Sequence, residues 1–399
     1  MIKRGPLSVL FLTIFIDLLL FGMIIPVLPV FATQLNASPF VVGMIMGVFA
    51  LMNFLFGPFW GSLSDRYGRR PIILTSIVIT IIANITLAFS NTLLLLFIAR
   101  ILSGIGSANI SAAQAYIADI SAPEERAKKM GFLGVAFGLG FIFGPPIGGL
   151  LKSLSPDGSM IWLGSVCALM GLINFVLAYN ILPESLKVFN TDQPIRIKPL
   201  AGIVNELRKP FVNQLFYINF IYITAFSMMQ ITAVILWEQV YGLDEKQIGY
   251  VFAFIGFTSA LVQGLLVGPL TKMYGERKLL LIGSVLMAFG LLSIPFPSVE
   301  GFIPWELLSL LLIALANGCV TPSITSLISQ YTSPKEQGKV LGMNLSFSSI
   351  ARVVGPVSGG YLYGMSIYYP YVAGFIVMMM ASVLALVIWK RNEQLKPVL

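Results

Sequence analysis

Apolar stretches of about eighteen or more residues recur along this whole chain, and that recurrence limits what it can fold into. A helix rises about 1.5 Å per residue, so about 20 apolar residues cross a hydrocarbon core of roughly 30 Å. Backbone in lipid must satisfy its own hydrogen bonds, so many such stretches imply a bundle of membrane-crossing helices. The stretches cover residues 7–31, 39–61, 71–90, 92–119, 129–152, 160–182, 211–237, 245–270, 278–296, 303–330, 338–363 and 367–389, with charge, Pro or Gly in the breaks. Only 11% of the residues are charged and the mean hydropathy is +0.89, against about 25% charge in a soluble domain. The expected fold is an all-α membrane protein with twelve transmembrane helices. The first run, Leu7 to Val30, contains Asp17, lacks a small-residue cleavage site and precedes further spans, so it reads as a span and not as a removable signal.

An even number of spans puts both termini on one side, and the basic residues indicate which. Lys3 and Arg4, Arg66, Arg69 and Arg70, Arg126, Lys128 and Lys129 fall on the terminal side. So do Lys187 to Lys209, Lys272, Arg277 and Lys278, Lys335 and Lys339, and Lys390, Arg391 and Lys396. The opposite loops offer Lys152 and Lys246. Both termini are therefore expected in the cytoplasm, and the net charge of +8 reflects topology and not a nucleic-acid surface. Cys167 and Cys319 sit inside apolar runs, so a disulfide framework is not expected. The chain has no His, so a proton relay would use carboxylates. It has no phosphate-binding G-x-x-x-x-G-K-[ST] loop, no metal-ligand cluster and no nucleophile–base pair. ATP drive, a cofactor, a metal and enzymatic activity are accordingly not expected.

The chain also repeats. Pro123, Gly131, Gly144, Pro145, Gly148 and Gly149 recur as Pro334, Gly342, Gly355, Pro356, Gly359 and Gly360, always 211 residues on. Gly61, Tyr67, Gly68 and Arg70 recur as Gly268, Tyr274, Gly275 and Arg277 at an offset of 207. Matched landmarks in matched order indicate duplication. The expected organisation is two pseudo-symmetric six-helix bundles, 1–182 and 211–399, joined by a polar, Pro-containing linker at 183–210. Parallel halves of this kind provide alternating access, with one half rocking against the other around a site near the midplane.

Several motifs carry a family resemblance. The loop after the second span reads Gly61-Ser-Leu-Ser-Asp65-Arg66-Tyr-Gly68-Arg69-Arg70-Pro71, matching G-x-L-a-D-r-x-G-r-[RK]. The fifth span has Gly131, Gly140, Gly144-Pro145 and Gly148-Gly149 at every position of G-x8-G-x3-G-P-x2-G-G. The eleventh span repeats this with Ala351 for the middle glycine. Asp17 ahead of Gly22 and Ile25-Pro26-Val27-Leu28-Pro29, Arg100 with Gly104 and Gly106, and Leu182-Pro183-Glu184-Ser185 complete the set. The chain thus resembles the major facilitator superfamily along nearly its whole length, and within it the twelve-span drug:proton antiporter branch that includes tetracycline exporters. In the second loop Thr271 and Lys272 replace Asp65 and Arg66, a departure from the pattern.

The resemblance implies a secondary transporter exchanging protons for amphipathic small molecules in a bacterial plasma membrane. Asp17 and Arg100 are the proton-coupling candidates. Asp17 lies about 15 Å deep at 1.5 Å per residue, where an ionised carboxylate costs several kcal/mol unless paired or hydrated. Arg352 interrupts a helix built for close packing and seeks a partner among Asp17, Glu238, Glu306 or an anionic or zwitterionic substrate. Polar groups inside spans, Asn109, Gln114, Tyr116, Asn219, Gln230 and Asn317, join Asp17 and Arg352 as substrate-binding candidates, since buried amides need partners. Asp65, Arg66, Arg69, Arg70, Asp119 and Arg126 form an expected cytoplasmic latch. In it Arg69 reaches Asp119, and Asp65 meets Arg126 or the start of the eleventh span. Gly140, Gly144, Pro145, Gly148 and Gly149 are the expected conformational hinge. Expected partners are substrate, protons and the bilayer, with no nucleic acid and a single working chain. The rival readings are an importer, uniporter or lipid flippase on the same fold, and a non-transporting receptor.

Overall fold

The computed structural model describes residues 5–108, 110–121, 123–186, 210–297, 302–333 and 336–390, with backbone alone at some positions, chiefly within 123–137. Among these residues the regular elements are all helical. They are α1 (Gly5–Ile24), α2 (Val27–Gln34), α3 (Pro39–Tyr67), α4 (Arg69–Ala88), α5 (Leu93–Ser107), α6 (Ile110–Asp119), α7 (Pro123–Ser153) and α8 (Ile161–Ile181). There follow α9 (Pro210–Gln239), α10 (Glu245–Leu261), a π-turn (Val262–Leu266), α11 (Val267–Ser293), α12 (Phe302–Gln330), α13 (Gln337–Met365) and α14 (Tyr369–Lys390).

Among the described residues, ten segments are long and apolar enough to cross a membrane. One of them, Glu245–Ser293, is 49 residues long, more than twice what a single crossing needs. It divides at Gly275, whose φ of 73° and ψ of 157° are not helical. The 31-residue α7 is also long enough to cross, which brings the crossings to the expected twelve. Three boundaries differ from the sequence reading. The first span breaks after Ile24, because Pro26 supplies no N–H and its ring clashes with the preceding turn. The fourth divides into α5 and α6. The helix begun at Glu245 runs through the π-turn as far as Tyr274, past the expected stop at 270. α7 continues as one helix through Pro145 and Pro146, each of which removes an N–H donor from its ladder.

Short polar signals start several helices. Thr92 accepts from the Leu95 N–H at 3.3 Å to begin α5. Asp244 and Gln247 form a reciprocal capping box before α10, at 2.7 and 3.0 Å.

Two compact units result. The first holds residues 1–37, 48–199 and 244–253, the second 38–47, 200–243 and 254–399. The first turns of α3 and α10 thus belong to the unit opposite the rest of their helices. Gly43 on α3 lies so close to α13 that a Cβ would stand 2.2 Å from the Pro356 carbonyl oxygen. Gly249 on α10 stands likewise 2.6 Å from the Pro145 oxygen on α7. The core of the first unit gathers Leu10, Ile14, Trp60, Ile73, Ala112 and Ile117, and the Trp60 Nε1 donates to the Ile105 carbonyl at 2.7 Å.

The duplication is visible in backbone and side chains. Gly68, with φ 104° and ψ 153°, and Gly275 adopt the same conformation, one open essentially to Gly alone. Just beyond each, an arginine reaches a carbonyl in the last turn of its unit's closing helix. Arg70 Nη2 donates to the Tyr179 oxygen at 2.7 Å on α8, and Arg277 Nη1 to the Ile388 oxygen at 3.5 Å on α14. A cation at a helix C-terminus satisfies orphan carbonyls and complements the macrodipole.

Candidate functional site

The first unit buries an acid and a base in its membrane-crossing helices. Asp17 on α1 is 8% exposed and Arg100 on α5 is 1% exposed. The glycines after Arg100 explain its position. A Cβ on Gly104 would stand 2.5 Å from the Phe49 oxygen on α3, and one on Gly106 2.4 Å from Thr80 Oγ1 on α4. Without side chains at these points α5 lies against both neighbours, and the Arg100 guanidinium settles over the Phe49 ring at 4.3 Å, an attractive cation–π contact. Phe49 in turn stacks on Phe21 at 5.0 Å, one helical turn beyond Asp17 on the same face of α1. A continuous stack thus leads from the neighbourhood of Asp17 to Arg100. Arg100 Nε and Nη1 are buried with no hydrogen-bond partner.

The second unit presents a different cation. Arg352, midway along α13, is exposed and forms no ion pair among the described residues. Within this unit it pairs with neither Glu238 nor Glu306 among the described residues. The polar candidates divide by their partners. Gln114 on α6 and Gln230 on α9 are half-buried, and no described group bonds them. The Asn219 Nδ2 donates to Asn344 Oδ1 at 3.0 Å and to Ser348 Oγ at 2.8 Å. That amide nitrogen joins α9 to α13. Tyr116 is also engaged within the protein. It is fully buried and its hydroxyl donates to the Pro183 carbonyl at 2.9 Å, tying α6 to the chain after α8. Asn317 accepts from Tyr222 at 2.9 Å and Thr321 at 3.3 Å, keeping its amide nitrogen uncommitted. Asn109 lies outside the described residues, as does the side chain of Arg126.

Small residues set the helix pairings around these groups. Cβ atoms at Gly140, Gly144 and Gly148 on α7 would stand 2.9, 2.8 and 2.0 Å from backbone of Leu18, Gly22 and Met23 on α1. Gly355 and Gly359 on α13 meet Thr224, Ser227 and Met228 on α9 in the same manner. Gly149 serves another partner, with the Glu245 oxygen 2.3 Å from its Cβ position. Asp17 is thus carried on a helix whose spacing to α7 is fixed backbone to backbone.

At the loop between α3 and α4, Arg69 is the hub. Its Nη1 meets Asp65 at 2.6 Å and Ser64 Oγ at 2.7 Å, and its Nε meets Asp119 at 3.1 Å. Arg70 serves α8 as described above, and the Arg66 guanidinium lies 5.6 Å from the Tyr67 ring centre. Sequence reasoning gives no role to Glu184, yet its carboxylate accepts from the backbone N–H groups of Arg69 at 2.9 Å and Arg70 at 3.1 Å. These are the orphan donors that begin α4, and an anion is favoured there. Ser185 adds a bond to Asp119 at 3.0 Å. The position of Glu184, one residue after Pro183 and far from α4 in sequence, gives no sign of this.

Lys152 is, by sequence, only a loop cation. In the fold it is 3% exposed, donates to the Gly158 carbonyl, and lies 3.9 Å from Glu245 and 5.1 Å from the Phe31 ring centre. Gln34 Nε2 also donates to Glu245 at 3.3 Å. In the nearby loop Asp157 accepts from the Ser159 N–H at 3.1 Å, which holds its carboxyl below the usual carboxylate range.

Residues 10–266 and 215–398 both match the family model described as Major Facilitator Superfamily. The chain belongs to the Major Facilitator Superfamily. It is a membrane transporter of that superfamily, and the loop, glycine and arginine features above are how its sequence builds the fold. It is 30% identical to the class G tetracycline resistance protein of Vibrio anguillarum, covering 90% of this chain and 91% of that one. It is 28% identical to multidrug resistance protein 2 of Bacillus subtilis (strain 168), covering 96% and 95%. The crystal structure of the human organic anion transporter MFSD10 (TETRAN) superposes with a TM-score of 0.70 at 25% identity, covering 96% of this chain and all of that one.

Proposed function

We propose that this superfamily member exports amphipathic small molecules in exchange for protons by alternating access. The halves 1–182 and 211–399 act as the two bundles, 183–210 links them, and both termini lie in the cytoplasm. The observation that carries the reading is Arg100: an arginine 1% exposed in a membrane-crossing helix, with two donor atoms unmet. Such a group is costly in a membrane and marks a pathway for charge. Its permanent charge sits at the end of the ring stack that begins beside Asp17. In this reading the carboxyl of Asp17 carries the coupling proton, and the field of Arg100 favours the proton's release. Proton and substrate then compete for one region, which is what exchange requires.

The names of the relatives, tetracycline and multidrug resistance proteins, support export of this class of molecule. Arg352 refines the substrate. An exposed, unpaired guanidinium midway along a crossing helix is not stable against lipid tails and faces water or ligand. A planar fork of donors suits a carboxylate or sulfonate, so the preferred substrates are anionic or zwitterionic. MFSD10, similar in fold, is itself named an organic anion transporter. Gln114, Gln230 and Asn317 complete the recognition surface, and the Asp65–Arg69–Asp119 set with Glu184 forms the cytoplasmic latch.

The test is thermal stabilisation of the purified protein by tetracycline and by a naphthalene sulfonate, followed by proton flux in proteoliposomes with each binder. The expected result is stabilisation by at least one compound and proton movement opposite to it. Transport of a binder indifferent to an imposed pH gradient would refute exchange and favour a uniporter.

A further inference from the structure

The second unit contains a buried carboxyl that the transport account above does not use. Glu306, in the second turn of α12, is 2% exposed. Its Oε1 accepts a hydrogen bond from Trp237 Nε1 at 3.0 Å, and that indole, near the end of α9, is fully buried. The other carboxyl oxygen, Oε2, is buried and has no partner.

Among the described residues, the titratable groups around Glu306 are acids and phenols, with no base. Glu238 and Tyr241 come from the end of α9 and the turn after it, Tyr363 from α13 and Tyr371 from α14. The last turns of α11, residues 285–293, carry no titratable side chain; their Ser293 bonds Ser309 on α12 at 2.8 Å. No lysine or arginine is among the groups that act on Glu306. The hydroxyl of Tyr363 is itself buried without a hydrogen-bond partner. Glu306 acts electrostatically on Tyr371. Outside the crossing segments, the Tyr241 hydroxyl is pushed up, first by burial and then by Glu306.

An ionised carboxylate with one oxygen facing apolar protein and no cation nearby is costly. A neutral carboxyl fits: Oε1 still accepts from the indole, and a proton on Oε2 removes the buried charge. The charged form is also supported once water enters, because the indole N–H and the start of α12 both favour an anion. One side chain thus has two hydrogen-bonded states differing by a single proton.

We propose that Glu306 is a proton-binding site of the second unit, which releases its proton when water reaches Oε2 and takes one up when the cluster closes. On release the Oε2–H bond breaks, the proton passes to water, and the carboxylate keeps the Trp237 N–H. Its part in transport rests on the exchange reading, but its titration needs no substrate, so the two stand or fall separately.

The experiment is pH-difference infrared spectroscopy on the full-length protein, beside E306Q. Glutamine keeps an oxygen for Trp237 and nearly the same volume. The expected result is a protonated-carboxyl C=O band that titrates in the wild type and is lost in E306Q. Emission of a variant retaining only Trp237 of the five tryptophans should follow the same step. A C=O band unchanged in E306Q, or emission that follows sodium and not pH, would overturn the proposal. If E306Q does not fold, Trp237→Phe keeps the carboxyl but removes its donor. The band must then shift, and an unmoved band counts against the site.

Discussion

Two glycines on one helix should respond in opposite directions to the same added methyl. At Gly148 on α7 a Cβ would stand 2.0 Å from the Met23 oxygen and 2.6 and 2.7 Å from two further backbone atoms of α1. The shortest of these is about 1.4 Å inside ordinary contact, and backbone on both sides leaves no flexible side chain to yield. Gly148→Ala gains about 1 kcal/mol of helix propensity but must force α1 and α7 apart, and overpacking of this kind costs about 1–3 kcal/mol. At Gly138, nearly three turns earlier, nothing lies within 4 Å of the added atom, so Gly138→Ala keeps the propensity gain of roughly 0.5–1 kcal/mol. The assay is thermal unfolding in detergent, read by a thiol-reactive dye. Cys167 and Cys319 are both buried and free and become reactive on unfolding. The expected order of melting temperatures is Gly138→Ala above wild type above Gly148→Ala. Equal melting temperatures for the two variants would refute the backbone-contact reasoning.

Other outcomes follow from the same structure. Asn219→Leu removes two buried hydrogen bonds and leaves Asn344 without a donor, so it should destabilise by about 1–3 kcal/mol in the same melt. Glu184→Ala exposes two orphan N–H groups at the start of α4, and loss of a cap costs about 1 kcal/mol; Glu184→Gln should recover part of the loss. Lys152→Met leaves Glu245 without its cation, and the double variant with Glu245→Gln should be more stable than Lys152→Met alone, a coupling read from a double-mutant cycle. Arg352→Gln should weaken stabilisation by a naphthalene sulfonate at least tenfold in affinity while leaving the melting temperature of the ligand-free protein within a degree or two; undiminished affinity would remove Arg352 from recognition.

Local physics makes much of the fold legible. Run length gives the crossings, and the repeated Gly68 and Gly275 mark backbone that other residues do not adopt, so spacing alone exposes the duplication. Arg69 and Asp119 are joined in the structure as motif position implies. The remainder depends on pairings between residues distant in sequence. A polar residue in a span signals equally a ligand contact or a helix–helix bond, so nothing local separates Asn219 from Gln230; the α9–α13 bonds do. Tyr116 resembles a ligand contact in sequence, but its aromatic body packs in the core while its hydroxyl meets a carbonyl 67 positions away. Glu184 and the Lys152–Glu245 pair are hidden for the same reason: each bond joins helix ends that only the folded chain brings together. The break at Pro26 and the continuity through Pro145 show that proline is a local cost whose effect is decided by surrounding packing.

The account depends most on a coupling proton carried by Asp17. Proteoliposomes holding the purified protein and a trapped pH indicator, challenged with tetracycline under an imposed pH gradient, test it directly. The prediction is proton movement opposite to tetracycline in the wild type, and in Asp17→Asn loss of gradient-driven accumulation while tetracycline-for-tetracycline exchange persists. An Asp17→Asn protein that still accumulates tetracycline with the wild-type dependence on pH would contradict it.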